Sequence, residues 1–348
     1  RYLLKWRYLS KLWRLRPAIV FIGDYHATTY PKWAPDGGRV VIPYGLPEDF
    51  CQAGPLSEPP PPRAVFTSNP LRSLDWLLEL WAESIQPWVA GAELHVFAGA
   101  ATYGSVGVDK EAAMEKVLDR ARALQGQGVK LRGPVPKARL IQELRQSRAM
   151  LYRGDLNETF CLAVGEAQAM GVPAVVEKLG SVSERVIDGE TGFVAAGAAA
   201  FAEAAKRLLT DDDLWRAQHL AAIEKQRQWR WADAAVQAIE QALIDNPDAR
   251  VIDASTAHRT ADGWTYGFPE LDAEQAGRIA EAKRVANPGC YALASVAMLR
   301  PLISAGLLLA GHAVTLNAVS GYSGGGRKMI ESYEDENAAH YTEAPFRI

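Results

Sequence analysis

A chain of 348 residues that is 48% hydrophobic and 23% charged has the material for two or three cores and is too apolar for disorder. Its net charge of -3 leaves no domain-wide basic excess to neutralise phosphates, so no nucleic-acid partner is expected. The three cysteines, Cys51, Cys161 and Cys290, are far apart and lack Cys-x-x-Cys spacing, which predicts neither a disulfide framework nor a metal site and fits a reducing cytoplasm.

No apolar run approaches the roughly 20 residues that a membrane span needs. Residues 1–16 are basic and aromatic. Two readings stand for them: a peripheral contact with an acidic membrane surface, or a partly buried helix whose arginine and lysine stems cover apolar surface. They carry no signal-peptide cleavage pattern, and a first residue of Arg1 rather than methionine reads as a cut or incomplete start. Residues 18–22 form a short apolar run that predicts a buried strand, followed by an irregular polar stretch through Gly38. The proline-rich residues 55–62 form a semi-rigid linker that excludes helix and central strand, which places a domain boundary near residue 62.

Strands are predicted at 64–67, 94–98, 129–133 and 149–152, with helices at 74–88, 110–124 and, opened by Pro136, through Ser147. Strands alternating with helices imply a parallel sheet with right-handed crossovers and a ligand beyond the carboxyl ends of its strands. His95 alternates with apolar neighbours and reads as a core or rim histidine. After residue 152 comes Glu158-Thr-Phe-Cys-Leu-Ala-Val-Gly-Glu166, where Phe160, Leu162 and Ala163 begin a short helix that Gly171 can end. One carboxylate thus precedes a helix and the other sits on its early turns. The positive helix start between them suits a diphosphate, and the carboxylates are left to hold hydroxyls. Beyond it, 174–176 is a strand, 180–184 can start a helix, 188–194 is a turn and strand, and helices run over 198–209 and 213–243. Trp215, Trp229 and Trp231 beside Arg227 and Arg230 fit either packing of a closing helix or stacking on single-stranded nucleic acid.

Glu158, Glu166, Ala167, Ala169, Gly171 and Pro173 resemble the signature of the retaining GT-B glycosyltransferases, two glutamates eight apart and then Glu-Ala-x-Ala-x-Gly-x-Pro. Val40-Val-Ile-Pro43-Tyr-Gly45 is similar to the segment with which that family leaves its acceptor domain, and Asp188-Gly-Glu-Thr-Gly192-Phe to another of its elements. The resemblance implies a Rossmann-like donor domain, a nucleotide-sugar donor, an acceptor of unknown identity and no metal or other cofactor. It assigns the donor sugar to Glu158, the ribose to Glu166, and the departing diphosphate to the helix amides near Phe160 and to Arg72. Arg72 stands near the family's lysine, whereas Asn69 stands near its arginine, in a shortened loop.

From Ile244 the vocabulary changes. Asp253-Ala-Ser255-Thr-Ala-His258-Arg259, Asn287-Pro-Gly289-Cys290-Tyr291 and Ser320-Gly-Tyr-Ser323-Gly324-Gly-Gly-Arg327 together resemble N-acetyl-gamma-glutamyl-phosphate reductase. Cys290 follows a strand-breaking Asn-Pro-Gly and precedes an apolar run, so it should open a helix that stabilises its thiolate for attack on an acyl phosphate. The resemblance implies NADP as cofactor, with Ser255, Arg259, Ser323, Gly324 and Arg327 at the cofactor and substrate cleft. The family's glycine-rich dinucleotide loop and histidine base have no match here, and Ala292 and Leu293 replace its proline and threonine. The expected organisation is therefore α/β throughout: a remnant acceptor domain and linker at 1–62, a donor domain with a parallel sheet at 63–243, and a partial α/β (α+β) reductase domain at 244–348. Three functions fit: a cytoplasmic glycosyltransferase, an oxidoreductase led by Cys290, or a joined product in which only ligand binding survives.

Overall fold

The computed structural model describes residues 4–99, 110–246, 248, 250–254, 258–309 and 311–317. The chain divides into two units, residues 1–238 and 239–348. The first begins with α1 (Trp6–Leu15), of which only Leu12 is buried while Trp6, Trp13 and Leu15 stay exposed. Leu12 packs with Ile19, Phe21, Tyr30 and Ala34 in a small core beneath two parallel strands, β1 (Ile19–Phe21) and β2 (Arg39–Val41). Where an irregular polar stretch is expected, the chain makes a helix of five residues, α2 (Asp24–Thr28). Five residues are too few for intrinsic propensity to hold. Tertiary contacts do so instead: the Glu184 carboxylate accepts the Tyr25 amide at 2.5 Å, and the Tyr25 hydroxyl donates to the Leu156 carbonyl at 2.9 Å.

The main sheet has six strands, all parallel: β3 (Arg63–Phe66), β4 (Glu93–Val96), β5 (Val129–Leu131), β6 (Ala149–Leu151), β7 (Ala174–Glu177) and β8 (Gly192–Ala195). All three residues of β6 are buried, as expected of a parallel strand covered on both faces. Between β3 and β4, α3 (Leu74–Leu80) buries Leu74, Leu77, Leu78 and then Trp81, one helical face. The helix ends eight residues earlier than its apolar spacing suggests and loosens into a wide turn over Trp81–Ile85 and a tight one over Gln86–Trp88. Pro87, lacking an N–H, cannot continue the ladder.

The remaining crossovers are α4 (Glu111–Ala123), α5 (Lys137–Leu144) and α6 (Leu162–Ala169), and α7 (Ala198–Thr210) follows the last strand. The expected helix over 213–243 is instead two, α8 (Asp212–Gln226) and α9 (Trp231–Asp245). No proline or glycine lies at the break. It is made by partners outside the helices: the Leu46 amide donates to the Trp229 carbonyl at 2.7 Å, and the Arg227 side chain donates to the Ala169 and Ala53 carbonyls. Gly45 is needed beneath it, since a Cβ there would lie 2.0 Å from the Trp231 nitrogen. Trp215 is fully buried with its indole N–H on the Arg148 carbonyl, which favours the packing reading for this tryptophan, whereas Trp231 stays exposed.

In the second unit, β9 (Val251–Asp253), β10 (Thr265–Tyr266) and β11 (Arg284–Ala286) form a parallel sheet in the order β10-β11-β9. With it go α10 (Gln275–Glu281) and α11 (Cys290–Ser304). No residue of α11 is buried, and Ile252 of β9 is 74% exposed, so this sheet and helix cover little apolar surface.

Candidate functional site

The main sheet runs in the order β5-β4-β3-β6-β7-β8, so the chain moves outward from β3 in one direction and from β6 in the other. Loops leaving two such neighbours diverge and open a crevice at the carboxyl edge. The loop after β3 supplies Arg72 and the loop after β6 supplies Glu158, and they meet there with the Arg72 guanidinium 2.5 Å from Glu158 Oε2. Tyr152, the residue after β6, donates its hydroxyl to the same oxygen at 3.0 Å. Glu158 Oε1 has no partner among the described residues. A further bond, from Ser73 Oγ to the Gly154 carbonyl at 2.8 Å, ties the two loops together. Asn69 is spent locally, its side chain accepting the Leu71 amide in a turn of its own.

The electrostatics of the cluster follow from its burial. Burial pulls the Arg72 pKa down, but Glu158 and Tyr152 outweigh it and the net direction is up, so the guanidinium stays charged. Burial pushes the Tyr152 hydroxyl well above its ordinary value, with neighbouring Cys161 and Glu158 adding to it, so it remains a neutral donor. The Cys161 thiol is likewise driven far up, first by burial and then by Glu158. It is therefore inert as a nucleophile.

Cys161 enters α6 in the left-handed region, with φ of 64°. That entry places Glu166 on the second turn of the helix, where its Oε1 lies 3.4 Å from Lys137 Nζ. Lys137 is the first residue of α5, where the helix dipole disfavours a cation. Its partner across the crevice explains the choice. Phe160 is 3% exposed, its ring packed edge-on against Tyr44 and Trp229. Its side chain is thus part of the packing. The Arg185 guanidinium lies between the rings of Phe160 and Trp229, 4.3 and 4.2 Å from their centroids. Such contacts contribute about 2 kcal/mol when desolvated, less than the several kcal/mol that burying an unpaired ion costs.

Comparison with known proteins bears on both units. Residues 62–211 match the family model described as glycosyl transferases group 1, and residues 290–344 match that of the semialdehyde dehydrogenase dimerisation domain. Two segments of this one chain thus match two different family models. In fold, the first is similar to HepE of Anabaena, solved in complex with UDP and glucose, at a TM-score of 0.55 and 15% identity over 67% of this chain and 65% of that one. Sucrose-phosphate synthase from Thermosynechococcus elongatus gives a TM-score of 0.53 and 19% identity over 65% and 57%. The second is similar to N-acetyl-gamma-glutamyl-phosphate reductase of Chelativorans sp. (strain BNC1), 60% identical over 29% of this chain and 32% of that one, and to reductase 2 of Pseudomonas putida, 57% identical over 31% and 34%. The chain spans about a third of the length of these curated relatives.

In the reductase-like segment Cys290 is exposed and is the first residue of α11, after Asn287-Pro-Gly289. Arg259 donates from Nε to the Asn287 carbonyl at 3.2 Å and packs against Gly289, which puts its charge beside that helix start. Ser255, Ser323, Gly324 and Arg327 lie outside the described residues. Each strand of this unit is followed by a connection with a single glycine, Gly263, Gly267 or Gly289. A dinucleotide loop needs several, so none of these three connections supplies one, and no step is derived through NADP. Among the described residues no cluster could hold a metal ion, and no helix is long and apolar enough to cross a membrane.

In the transferase-like segment Tyr152, Lys137 and Arg185 stand beside the candidate residues without belonging to any motif. Lys137 carried a signal, a cation at a helix start. Arg185 carried none; residues 182–185 make a tight turn where 180–184 could start a helix.

Proposed function

We propose that the chain binds a nucleotide sugar at the crevice between the loops after β3 and β6 and transfers the sugar to an acceptor hydroxyl in the cytoplasm. The observation that carries this is the pair of carboxylates, Glu158 and Glu166, at the carboxyl edge of one parallel sheet, each facing a cation, Arg72 from the loop after β3 and Lys137 from the start of α5. Glu158 Oε1 accepts hydroxyls of the sugar. Glu166 accepts those of the ribose, with Lys137 holding it in place. The first amides of α6 and Arg72 take the charge of the departing diphosphate. In the reaction the bond from the anomeric carbon to the phosphate oxygen breaks, one to the acceptor oxygen forms, and the hydroxyl proton leaves with the diphosphate. No metal is called on.

The test is thermal unfolding of the full chain with UDP-, GDP- and ADP-sugars. A ligand at a hundred times its Kd adds about 2.7 kcal/mol, which for a domain of this size raises the melting temperature by roughly 5–11 °C. UDP-sugars are expected to give that rise. Indifference to all three series overturns the reading.

A second activity is favoured by Cys290, exposed at a helix start beside Arg259. Its thiolate attacks an acyl phosphate, the acyl carbon to sulfur bond forms, and phosphate leaves, giving a thioester. Incubation with an acyl phosphate is expected to add the acyl mass to Cys290 in the full chain and not in the C290S variant. Cys51 and Cys161 should stay unmodified, since burial raises both thiols. An unchanged mass at Cys290 rejects this second activity.

A further inference from the structure

We propose that Arg185 is a second cation for the donor's diphosphate, acting with the amino-terminal turn of α6; the inference rests on the nucleotide-sugar reading. Arg185 ends the tight turn Val182–Arg185 that follows β7, so it reaches the sheet's carboxyl edge, as Arg72 and Glu158 do. It is 4% exposed, and its Nε is buried without a hydrogen-bond partner. No described residue gives its guanidinium a hydrogen bond or an ion pair. The acid next to it in sequence, Glu184, turns its Oε1 to the Tyr25 amide instead.

Two aromatic faces attract a cation but offer no acceptor to its N–H groups. A planar guanidinium held flat between rings therefore lacks an anion with several oxygens, and the geometry of its fork suits phosphate. One of those rings belongs to Phe160, two residues before α6 begins, and the first amides of that helix have no acceptor within it. Burial brings the Arg185 pKa down to about 10, the direction expected of a cation without its counter-ion. Elsewhere in the crevice Asn69 is used by its own turn and Arg72 shares its charge with Glu158, so a further positive group adds to the hold on the diphosphate.

Calorimetry of the full chain with UDP, inorganic pyrophosphate and uridine, for wild type and R185M, tests this. Relative to wild type, R185M is expected to bind UDP and pyrophosphate at least tenfold more weakly and uridine equally well. Free of ligand it should melt higher, because a buried unpaired charge is gone. Equal affinity for UDP and pyrophosphate in the two proteins, with a lower melting temperature for R185M, would mean that the arginine only packs the two rings, and the inference falls while the nucleotide-sugar reading stands. Wild type that binds neither UDP nor pyrophosphate removes both. Should R185M not fold, R185K is expected to lose affinity for pyrophosphate by a few fold, since it keeps the charge and loses the fork; undiminished affinity in R185K then counts against the inference.

Discussion

Glu158→Gln is expected to weaken binding of a UDP-sugar by ten- to a hundredfold while binding of UDP itself holds or tightens. The two effects have opposite signs because the proposed site gives Glu158 two roles. Its Oε1 is open to sugar hydroxyls, and hydrogen bonds to a charged acceptor contribute about 1.5–3 kcal/mol each, roughly tenfold or more in affinity. Its Oε2 holds the Arg72 guanidinium at 2.5 Å. A neutral amide loses the first and releases the second, so Arg72 is freed to meet the phosphates of UDP. The fold should tolerate the change at a cost of about 1 kcal/mol or less, since the Arg72 side chain is 34% exposed and water can solvate it. Titration of UDP and UDP-glucose against both proteins, with a melting curve for each, gives the answer. If both ligands weaken by the same factor, Glu158 only shapes the loop, and the role given to it is wrong.

What could be read from sequence was set by where the physical cause lay. The strands of the main sheet are short apolar runs buried by their own composition, and β3 to β8 fall where those runs are. Glu158 and Glu166 reach the same edge because one follows a strand and the other rides the helix after it, which spacing alone conveys. Their partners lie 86 and 29 residues away, Arg72 and Lys137, and nothing local announces those pairings. Arg72, which the resemblance assigns to the diphosphate, is also paired with Glu158. The break between α8 and α9 illustrates the same point. Residues 227–230 have ordinary helical propensity, and it is the strand-like contact of Leu46 with Trp229 that overrides it. In α2, likewise, the deciding group is a glutamate 159 residues from the amide it caps.

Gly171→Ala is expected to destabilise the first unit by about 3 kcal/mol. The glycine closes α6 with φ of +80°, a conformation that costs a residue with a Cβ about 1–2 kcal/mol. The added carbon would also lie 2.3 Å from Cε1 and Nδ1 of His219 and 3.0 Å from Ile223. His219 cannot give way. Its Nδ1 donates to the Gly171 carbonyl at 2.6 Å, its Nε2 accepts the Leu56 amide at 2.9 Å, and its ring stacks on Trp215 with centroids 4.5 Å apart. Burial lowers its pKa, so it remains the neutral tautomer that this pair of bonds requires. Overpacking against so fixed a group adds about 1–3 kcal/mol. At roughly 2–4 °C per kcal/mol for a domain of this size, the melting temperature should fall by about 6–12 °C. The His219→Ala background separates the two causes: there the methyl group added by Gly171→Ala no longer meets an imidazole, and the cost of the substitution should shrink to the backbone part alone. A G171A protein that melts within about 2 °C of wild type would show that the histidine is free to move. The glycine of the Gly171-Val-Pro173 run would then be held in place by something other than the helix end it terminates.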